Sequence, residues 1–453
     1  MDALIKTTQA GASPSTIEKA FTYPLLQALL TRRSRRFGKG MRLDGGPLSF
    51  ASEQQPQPLT LEEEAILAFA ACGVTGYGLA DLPFQDGEGP ETGGGNILIH
   101  FIGRTVASGD AVHAVTLFVL NDDGVWLVKR PQDYPRGEIP SLVEAARAHA
   151  FVALYEKSRV RLADRRLDVP RTLPYVPPFN KWSANQSGTS YFLPVTELTA
   201  LYINILLSVF SEDFGYFILD ERCGFQPAGI ARFARSRGGL LHDDPADGRM
   251  ATITFLETWL YEFTSFEQGQ MLQNLALMVE ALGLGGFPHF AAHPFGWTQA
   301  LNFRMDDIPF SRTIGAGPLR TCLLNLLGKN RPVPTAVGLE RNGAVLLKPF
   351  CPPYYPSMRE AVLAFVDYKY GAGRGTLRDG GAASAWRDGS KVQAGIPDYS
   401  DQAIEATIAY CDYVYRRYGR FPANSGPFRT LLAYQAHHLA REFYATFYKR
   451  DWA

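Results

Sequence analysis

The sequence predicts a globular fold that mixes α-helices with antiparallel β-hairpins, and three stretches carry this prediction. In 267–286, apolar residues recur at helical spacing, and Gly283 and Gly285 stand where the helix should end. A turn at 121–124 lies between two apolar runs, one alternating, as in a β-hairpin. A second hairpin is predicted over 332–347, with its turn at Asn342 and Gly343.

Composition describes an ordinary globular chain without a broad electrostatic partner. With 453 residues, the chain is too long for one growing core, so two or three packed units are expected. The 45 basic and 45 acidic residues cancel, which argues against general capture of nucleic acid or anionic membrane. Any anion site must therefore be local.

Cysteine usage and apolar runs predict a compartment for the protein. The five cysteines are odd in number and widely spaced, without a Cys-x-x-Cys pair, which argues against a disulfide framework or structural zinc. Residues 1–15 lack the basic start and apolar run of a signal peptide, and the longest apolar run, 201–210, is too short to span a bilayer. We expect a soluble, cytoplasmic protein.

The N-terminal third contains two capping boxes. Ser15 with Glu18 predicts the start of a short helix, and Pro24 restarts it. Thr60 with Glu63 predicts the start of a second helix, which ends before residue 73. The flanking segments 40–58 and 73–95, rich in glycine, are predicted to be loops.

The remaining elements are predicted from periodicity and from turn residues. Four helices are expected, over 140–155, 198–209, 400–418 and 427–448, with a strand at 216–219, an extended crossing at 170–178, a charged loop at 232–248 and a linker at 388–401. The helix over 400–418 should end at Gly419, because glycine reaches the left-handed backbone conformation without a steric penalty.

Four arginines surround Ser34 just after the restarted helix, at 32, 33, 35 and 36. From the pattern alone, the simpler interpretation is that they complement the carbonyl end of the helix dipole and remain solvated. The alternative is phosphate binding, for which paired guanidinium donors are well suited. The residues alone favour the first interpretation over the second.

The stretch Glu-x-Gly-x-x-x-Gln-Asn-Leu-x-Leu, followed by Ala-Leu-Gly-Leu-Gly, resembles the central helix of the nitroreductase-like flavin oxidoreductases, including the branch that oxidises thiazolines and oxazolines. The resemblance implies an α+β fold with a mixed, largely antiparallel sheet wrapped by helices. It also implies FMN bound where two subunits meet. Two parts of a flavin-binding fold would be 1–139 and 250–350, with 140–249 an insertion that shapes substrate choice and 351–453 a helical extension.

The same resemblance implies which residues contact FMN. Arg-Arg-Ser-x-Arg is similar to the family's phosphate motif, and the loop before the first hairpin is similar to its second flavin-contacting segment, with Ala107 where a proline is usual. A basic residue after the late Val337-Gly338 strand completes the set. The implied cofactor-binding residues are Arg33, Ser34, Arg36, Arg104, Ser108, Gln273, Asn274, Gly283, Gly285 and Lys348.

The implied activity is hydride transfer through flavin N5 to or from a small organic substrate, with NADH or NADPH as the expected reductant and a homodimer as the expected assembly. The family's Lys-Tyr pair before Glu267 is missing, since 255–263 contains no lysine, so azoline oxidation is disfavoured. No catalytic side chain is assigned.

Two alternatives stay open. The first is a flavin- or small-molecule-binding protein that has lost catalysis. The second is a metal-dependent enzyme that uses His289, His293, His437, His438 and Glu442. Pro288 and Pro294 flank the first histidine pair and disfavour a regular helix there, so an aromatic loop is preferred to a metal site. His438 and Glu442, one turn apart on the predicted helix, are interpreted as a surface pair.

Overall fold

The structure is a computed structural model that describes residues 15–81, 95–290 and 294–449. Its helices are α1 (Thr16–Thr22), α2 (Leu25–Thr31), α3 (Leu61–Cys72), α4 (Ile139–Arg147), α5 (Phe151–Ser158), α6 (Thr199–Val209), α7 (Ile253–Ala281), α8 (Pro294–Ala300), α9 (Phe310–Thr313), α10 (Pro318–Leu326), α11 (Met358–Tyr370), α12 (Gly389–Ala394), α13 (Asp401–Tyr418) and α14 (Arg441–Phe447). No helix in these ranges combines the length and apolar character needed to cross a bilayer.

The strands are short except around one central sheet. They are β1 (Arg42–Leu43), β2 (Phe50–Ala51), β3 (Val74–Tyr77), β4 (Ile102–Arg104), β5 (Val115–Asn121), β6 (Gly124–Val128), β7 (Arg159–Ala163), β8 (Thr189–Glu197), β9 (Phe217–Asp220), β10 (Gln226–Pro227), β11 (Met250–Thr252), β12 (Gly285–Phe290), β13 (Arg304–Pro309), β14 (Pro332–Arg341), β15 (Ala344–Leu347), β16 (Phe428–Arg429) and β17 (Leu432–His437).

The central sheet has the order β12-β17-β8-β5-β6-β7, with β16 also paired to β8, and every pairing in it is antiparallel. A three-stranded sheet, β10-β9-β11, contains the parallel pair β11–β9. A second three-stranded sheet, β13-β14-β15, is antiparallel. The α+β class, with a mixed and largely antiparallel sheet content, is confirmed. Each of the four segments delimited from the sequence contributes at least one strand to the central sheet.

Alternation along β5 explains how both faces of the central sheet are covered. Val115, Leu117 and Val119 pack against α3 and α7, whereas Phe118 and Leu120 enter a separate cluster on the opposite face. Because successive side chains of a strand point to opposite faces, one apolar strand serves two cores. This arrangement fixes α7 across one face of the sheet.

Several local predictions are confirmed. The hydroxyl groups of Ser15 and Thr60 accept hydrogen bonds from the third helical N–H of α1 and α3, at 3.2 Å in both cases. The turn at Asn342 and Gly343 has φ of +52° and +79° and joins β14 to β15. Gly419, with φ of +73°, ends α13. These features depend on residues only a few positions apart.

The predicted helix over 427–448 is wrong. The segment forms β16 and β17, and only Arg441–Phe447 is helical. β17 lies between β12 and β8, and five of its six residues are buried. Pairing on both edges satisfies the backbone polar groups of β17, and its side chains are covered on both faces, which outweighs the helical pattern predicted for the segment.

Five smaller predictions are also corrected. The helix predicted over 140–155 is two helices, α4 and α5, and the linker predicted at 388–401 contains α12. The loop predicted at 40–58 contains the β1–β2 pair, and the described part of the loop at 73–95 contains β3, which pairs with β4. The central helix begins at Ile253, well before residue 267, because the Thr252 hydroxyl accepts a hydrogen bond from Phe255 N at 3.2 Å.

Candidate functional site

The long helix α7 is the reference along which the candidate site residues are placed. It has 29 residues, which corresponds to a length of about 44 Å. Glu257 and Tyr261 lie near its start, Glu267 near its middle, and Glu280 at its end. Among the residues predicted to contact FMN, Arg104 and Ser108 contact the middle of this helix, and Gly283 follows its end.

A buried ionic network occupies the middle of α7. Arg104 forms an ion pair with Glu267, and each side chain is only 1% exposed. The same carboxylate accepts hydrogen bonds from Ser108 Oγ at 2.6 Å and from Val115 N at 3.1 Å. Arg104 Nη1 also donates to Val115 O at 3.2 Å. The network ties the loop before β5 to α7, and it gives Arg104 and Ser108 a structural task.

Asn274 continues this connection about two turns further along α7. Its amide nitrogen donates to Ala70 O and to Thr105 O, both at 3.0 Å. It therefore joins the end of α3 and the loop before β5 to the central helix. Gln273, the preceding residue, is exposed to solvent.

At the C-terminal end of α2, the arginine cluster divides into two pairs. Arg33 Nη1 donates to Leu30 O at 3.1 Å and to Arg32 O at 2.9 Å, as expected for a cation that caps a helix C-terminus. Ser34 is exposed beside it. The simpler interpretation of the cluster, a solvated complement to the helix dipole, therefore describes Arg33 as it stands in the structure.

The second pair, Arg35 and Arg36, faces the protein. Arg35 Nη1 lies 2.6 Å from Glu280 Oε2, and Arg35 forms a backbone bridge with Gly286. The guanidinium carbon of Arg36 lies 4.7 Å from the centre of the Phe287 ring, and Arg36 Nη1 donates to the side-chain oxygen of Asn180 at 3.2 Å. Arg35 and Arg36 thus connect the N-terminal segment to the end of α7 and to β12.

A cavity of about 660 Å³ opens at this end of α7; we call it the C-terminal pocket. It is lined by Tyr23, Arg35, Glu280, Gly283, Leu284, Leu439, Arg441, Tyr444, Ala445 and Tyr448. Tyr444 also fixes the arginine segment, because its hydroxyl accepts a hydrogen bond from Phe37 N at 3.0 Å. The sequence prediction missed Arg35, Arg441 and the tyrosines.

The two glycines at the end of α7 differ in their surroundings. Gly283 has φ of +71°, and a Cβ atom added there would meet nothing within 4 Å. Gly285 lies in β12, where an added Cβ would stand 2.5 Å from Leu439 Cδ2 and 2.7 Å from His437 Nε2. Only Gly283 has the left-handed backbone and lines the C-terminal pocket. Gly285 is closely packed against protein side chains.

Lys348 does not join this group in the structure. It follows β15, is exposed, and its ammonium group lies 4.2 Å from the centre of the Tyr355 ring. β15 belongs to the sheet β13-β14-β15 rather than to the central sheet.

The histidines do not assemble a metal site in the described ranges. His289 is buried, and burial lowers its pKa to about 4, with Arg36 acting in the same direction. His438 Nε2 lies 3.4 Å from Glu63, whereas Glu442 accepts hydrogen bonds from Ser52 and Gln54, each at 3.0 Å. Among the described residues no group of three or more metal-ligand side chains occurs, and His293 lies outside them.

Comparisons with known proteins give little beyond this geometry. No protein-family model matches the chain, and no curated protein sequence matches it either. A crystal structure provisionally assigned as a nitroreductase, from Ralstonia eutropha JMP134, aligns with 62% of this chain and 77% of its own, with 14% sequence identity and a TM-score of 0.28. A similarity of this extent does not assign an activity.

Proposed function

We propose that the protein is an FMN-dependent oxidoreductase that transfers hydride to or from a small organic substrate, with NADH or NADPH as reductant. Two observations support the proposal. The sequence of α7 resembles the central helix of the nitroreductase-like family. Arg35, which lies within the arginine cluster that resembles the family's phosphate motif, lines a cavity of about 660 Å³ at the end of this helix. The cavity is the observation that carries the proposal.

The residues around the C-terminal pocket suit an aromatic ligand with a phosphate group. Arg441 is exposed at the pocket, and guanidinium groups donate paired hydrogen bonds to phosphate oxygens. Tyr23 and Tyr444 provide ring faces, and Gly283 leaves open space where a side chain would otherwise stand. The carboxylate of Glu280 would repel an anion, but Arg35 Nη1 lies 2.6 Å from Glu280 Oε2 and compensates its charge.

In this proposal, Arg33, Ser34, Arg36 and Arg441 hold the FMN phosphate. The guanidinium group of Arg36 is held in place by the Phe287 ring and by Asn180. When bound, FMN supplies the hydride-accepting and hydride-donating centre of the reaction. The chain's own contribution is to orient the cofactor and to cover it with Tyr444 of α14 and with Tyr448, which follows α14. The assignments of Arg104, Ser108, Gln273, Asn274 and Lys348 to flavin contacts stay predictions.

We also propose a second copy of the chain as partner, as the family resemblance implies. Four leucines of α2, at 25, 26, 29 and 30, are between 51% and 69% exposed, although α2 packs beside α7. A second subunit would cover this apolar surface next to the central helix.

The absorbance spectrum of the purified chain tests the proposal directly. Yellow protein that bleaches with NADH or NADPH supports the enzyme, and yellow protein that never bleaches favours the non-catalytic binder or another reductant. For the phosphate site, flavin is removed and rebinding of FMN is compared with that of riboflavin, which lacks the phosphate. The parent should prefer FMN.

Loss of one charge-assisted contact costs on the order of 1.5 to 3 kcal/mol, or roughly tenfold to a hundredfold in affinity. Arg36→Ala and Arg441→Ala should therefore weaken the binding of FMN by that factor and leave the binding of riboflavin nearly unchanged. Arg42→Ala is the control, because Arg42 is exposed and, among the described residues, its ion pair is with Asp44. If both variants bind FMN as tightly as the control, the phosphate is held elsewhere and the assignment is wrong.

A further inference from the structure

A second cavity, of about 540 Å³, lies at the opposite end of α7; we call it the arginine cavity. It is lined by Arg222, Tyr261, Phe295, Thr298, Phe310, Thr313, Ile314, Val333, Pro334, Thr335, Ala336, Arg420, Asn424, Ser425, Phe428 and Arg429. Tyr261 and Glu280 are 19 residues apart on α7, which places the two cavities about 28 Å apart along the helix axis. One small ligand cannot fill both.

The arginine cavity carries positive charge without a matching acid in its wall. Within the described ranges, none of its three arginines lies within 4.0 Å of a carboxylate oxygen, and its lining contains no Asp or Glu. Arg222 donates to the Asn424 side chain, and Arg420 donates to Ala423 O at 2.7 Å and to Asn424 O at 2.9 Å. The guanidinium carbon of Arg429 lies 4.2 Å from the centre of the Tyr261 ring. Since a guanidinium group has five N–H donors, each retains donors for a ligand.

The carboxyl group of Glu257 lies behind the wall and organises it. Glu257 is fully buried, and it accepts hydrogen bonds from Ala423 N at 2.6 Å and from Asn424 N at 2.8 Å. These bonds hold the turn that bears Arg420. Burial raises the pKa of Glu257 to about 7, so its negative charge is incomplete at neutral pH and compensates the arginines only in part.

The rest of the wall is apolar and aromatic. Phe310, Phe428 and Tyr261 provide aromatic surface, and Val333 to Ala336 of β14 adds an aliphatic side. Tyr261 is held by a hydrogen bond from its hydroxyl to Ser425 Oγ at 3.0 Å. Cavities of several hundred Å³ that combine apolar walls with a few fixed polar groups are typical small-molecule sites.

We propose that the arginine cavity is a second ligand site, which binds a small organic anion with an aromatic body. Its carboxylate or phosphate group meets Arg222, Arg420 and Arg429, and its ring lies against Phe310 and Phe428. Arg222 comes from the segment 140–249, and Arg420 and Arg429 come from 351–453, the two segments to which the family resemblance does not extend. The site is independent of whether flavin binds at the other end of α7.

Calorimetric titration of the full-length protein tests the proposal with three probes: phenyl phosphate, inorganic phosphate and neutral benzyl alcohol. We expect phenyl phosphate to bind at least tenfold tighter than either of the others, because only it satisfies both the arginines and the apolar walls. Equal affinities for phenyl phosphate and inorganic phosphate would overturn the proposal, as would no binding at millimolar concentration.

Arg429→Ala locates the site, because the substitution keeps the backbone pairing of Arg429 with β8 and the Arg429 side chain makes no hydrogen bond to the described residues. This substitution should weaken the binding of phenyl phosphate at least tenfold and leave the melting temperature unchanged. The control is Arg416→Ala on α13, an exposed arginine outside the cavity, which should bind the probe like the parent. Unchanged binding in Arg429→Ala places the probe elsewhere and overturns the assignment.

Flavin content separates this site from the flavin site. If the purified protein is yellow, phenyl phosphate should bind without releasing flavin, and Arg429→Ala should retain it. Loss of flavin in Arg429→Ala, with retention in Arg36→Ala and Arg441→Ala, would mean that the arginine cavity is the flavin site itself, and would overturn both assignments. Colourless protein would refute the proposed oxidoreductase, while the probe titration would still decide this proposal.

Discussion

Arg104→Met separates a structural role for the Arg104–Glu267 pair from a direct role in flavin binding. Both side chains are 1% exposed, and the Glu267 carboxylate also holds Ser108 and Val115 N. Methionine fills much of the volume of arginine but leaves the carboxylate without its counter-charge. Breaking a buried ion pair from one side costs about 3–5 kcal/mol. For a chain of 453 residues that unfolds cooperatively, we expect the melting temperature to fall by roughly 3–5 °C.

The double variant Arg104→Met with Glu267→Gln should recover much of this loss. The glutamine oxygen can still accept a hydrogen bond from Val115 N or Ser108 Oγ, and no buried charge remains unpaired. Circular dichroism melts of the four proteins of this double-mutant cycle give the coupling energy between the two side chains. Flavin content is measured on each folded protein.

A structural pair predicts that the double variant binds flavin like the parent. Arg42→Met, at an exposed surface pair, should leave the melting temperature unchanged. The reasoning is refuted if Arg104→Met melts like the parent but has lost its flavin, because Arg104 would then act on the cofactor and not on the fold.

Three further predictions concern both ends of α7 and its neighbours. Gly285→Val should destabilise the protein by about 1–3 kcal/mol, since its side chain would collide with Leu439 and His437, and an unchanged melting temperature would contradict this. Glu257 has its pKa raised from 4.5 to about 7 in the folded state, so it stabilises the protein below about pH 4.5 and this contribution is lost as pH rises through 7. The lost stabilisation is on the order of 3 kcal/mol. In Glu257→Gln the urea midpoint should therefore fall less steeply between pH 4.5 and 7 than in the parent, and parallel pH curves for the two proteins would contradict the raised pKa of Glu257. Light scattering should find a dimer of the parent protein, and Leu26→Glu, which places a charge on the exposed apolar surface of α2, should dissociate it. A parent protein that is monomeric at micromolar concentration would contradict the proposed dimer.

Features that depend on neighbouring residues were predictable from the sequence. The capping box at Thr60, the Asn342-Gly343 turn and the Gly419 helix end each need only a few consecutive residues to set backbone geometry. The strand β17 was not predictable in this way. Its position between β12 and β8 depends on residues far away in the chain, and its six residues are too few for their apolar pattern to distinguish a strand from a helix.

The same limit applies to the sites. The family resemblance implied that Arg104 and Ser108 contact FMN. In the structure both contact Glu267 of α7, and nothing in their spacing identifies Glu267 as their shared partner. The arginine cavity was missed because Arg222 and Arg420 are brought together only by the fold. No local pattern joins residues so far apart in the chain.

The pairing of each arginine, rather than its place in a motif, indicates where an anion can bind. Arg104 and Arg35 are each neutralised by a glutamate, Glu267 and Glu280, whose side chains are 1% and 8% exposed. An anion brought to either would compete with an existing carboxylate. In the described part of the chain, the arginines of the arginine cavity have no carboxylate within 4.0 Å. Since basic and acidic residues are equal in number over the whole chain, such local excess charge distinguishes the cavity from a surface of balanced ion pairs.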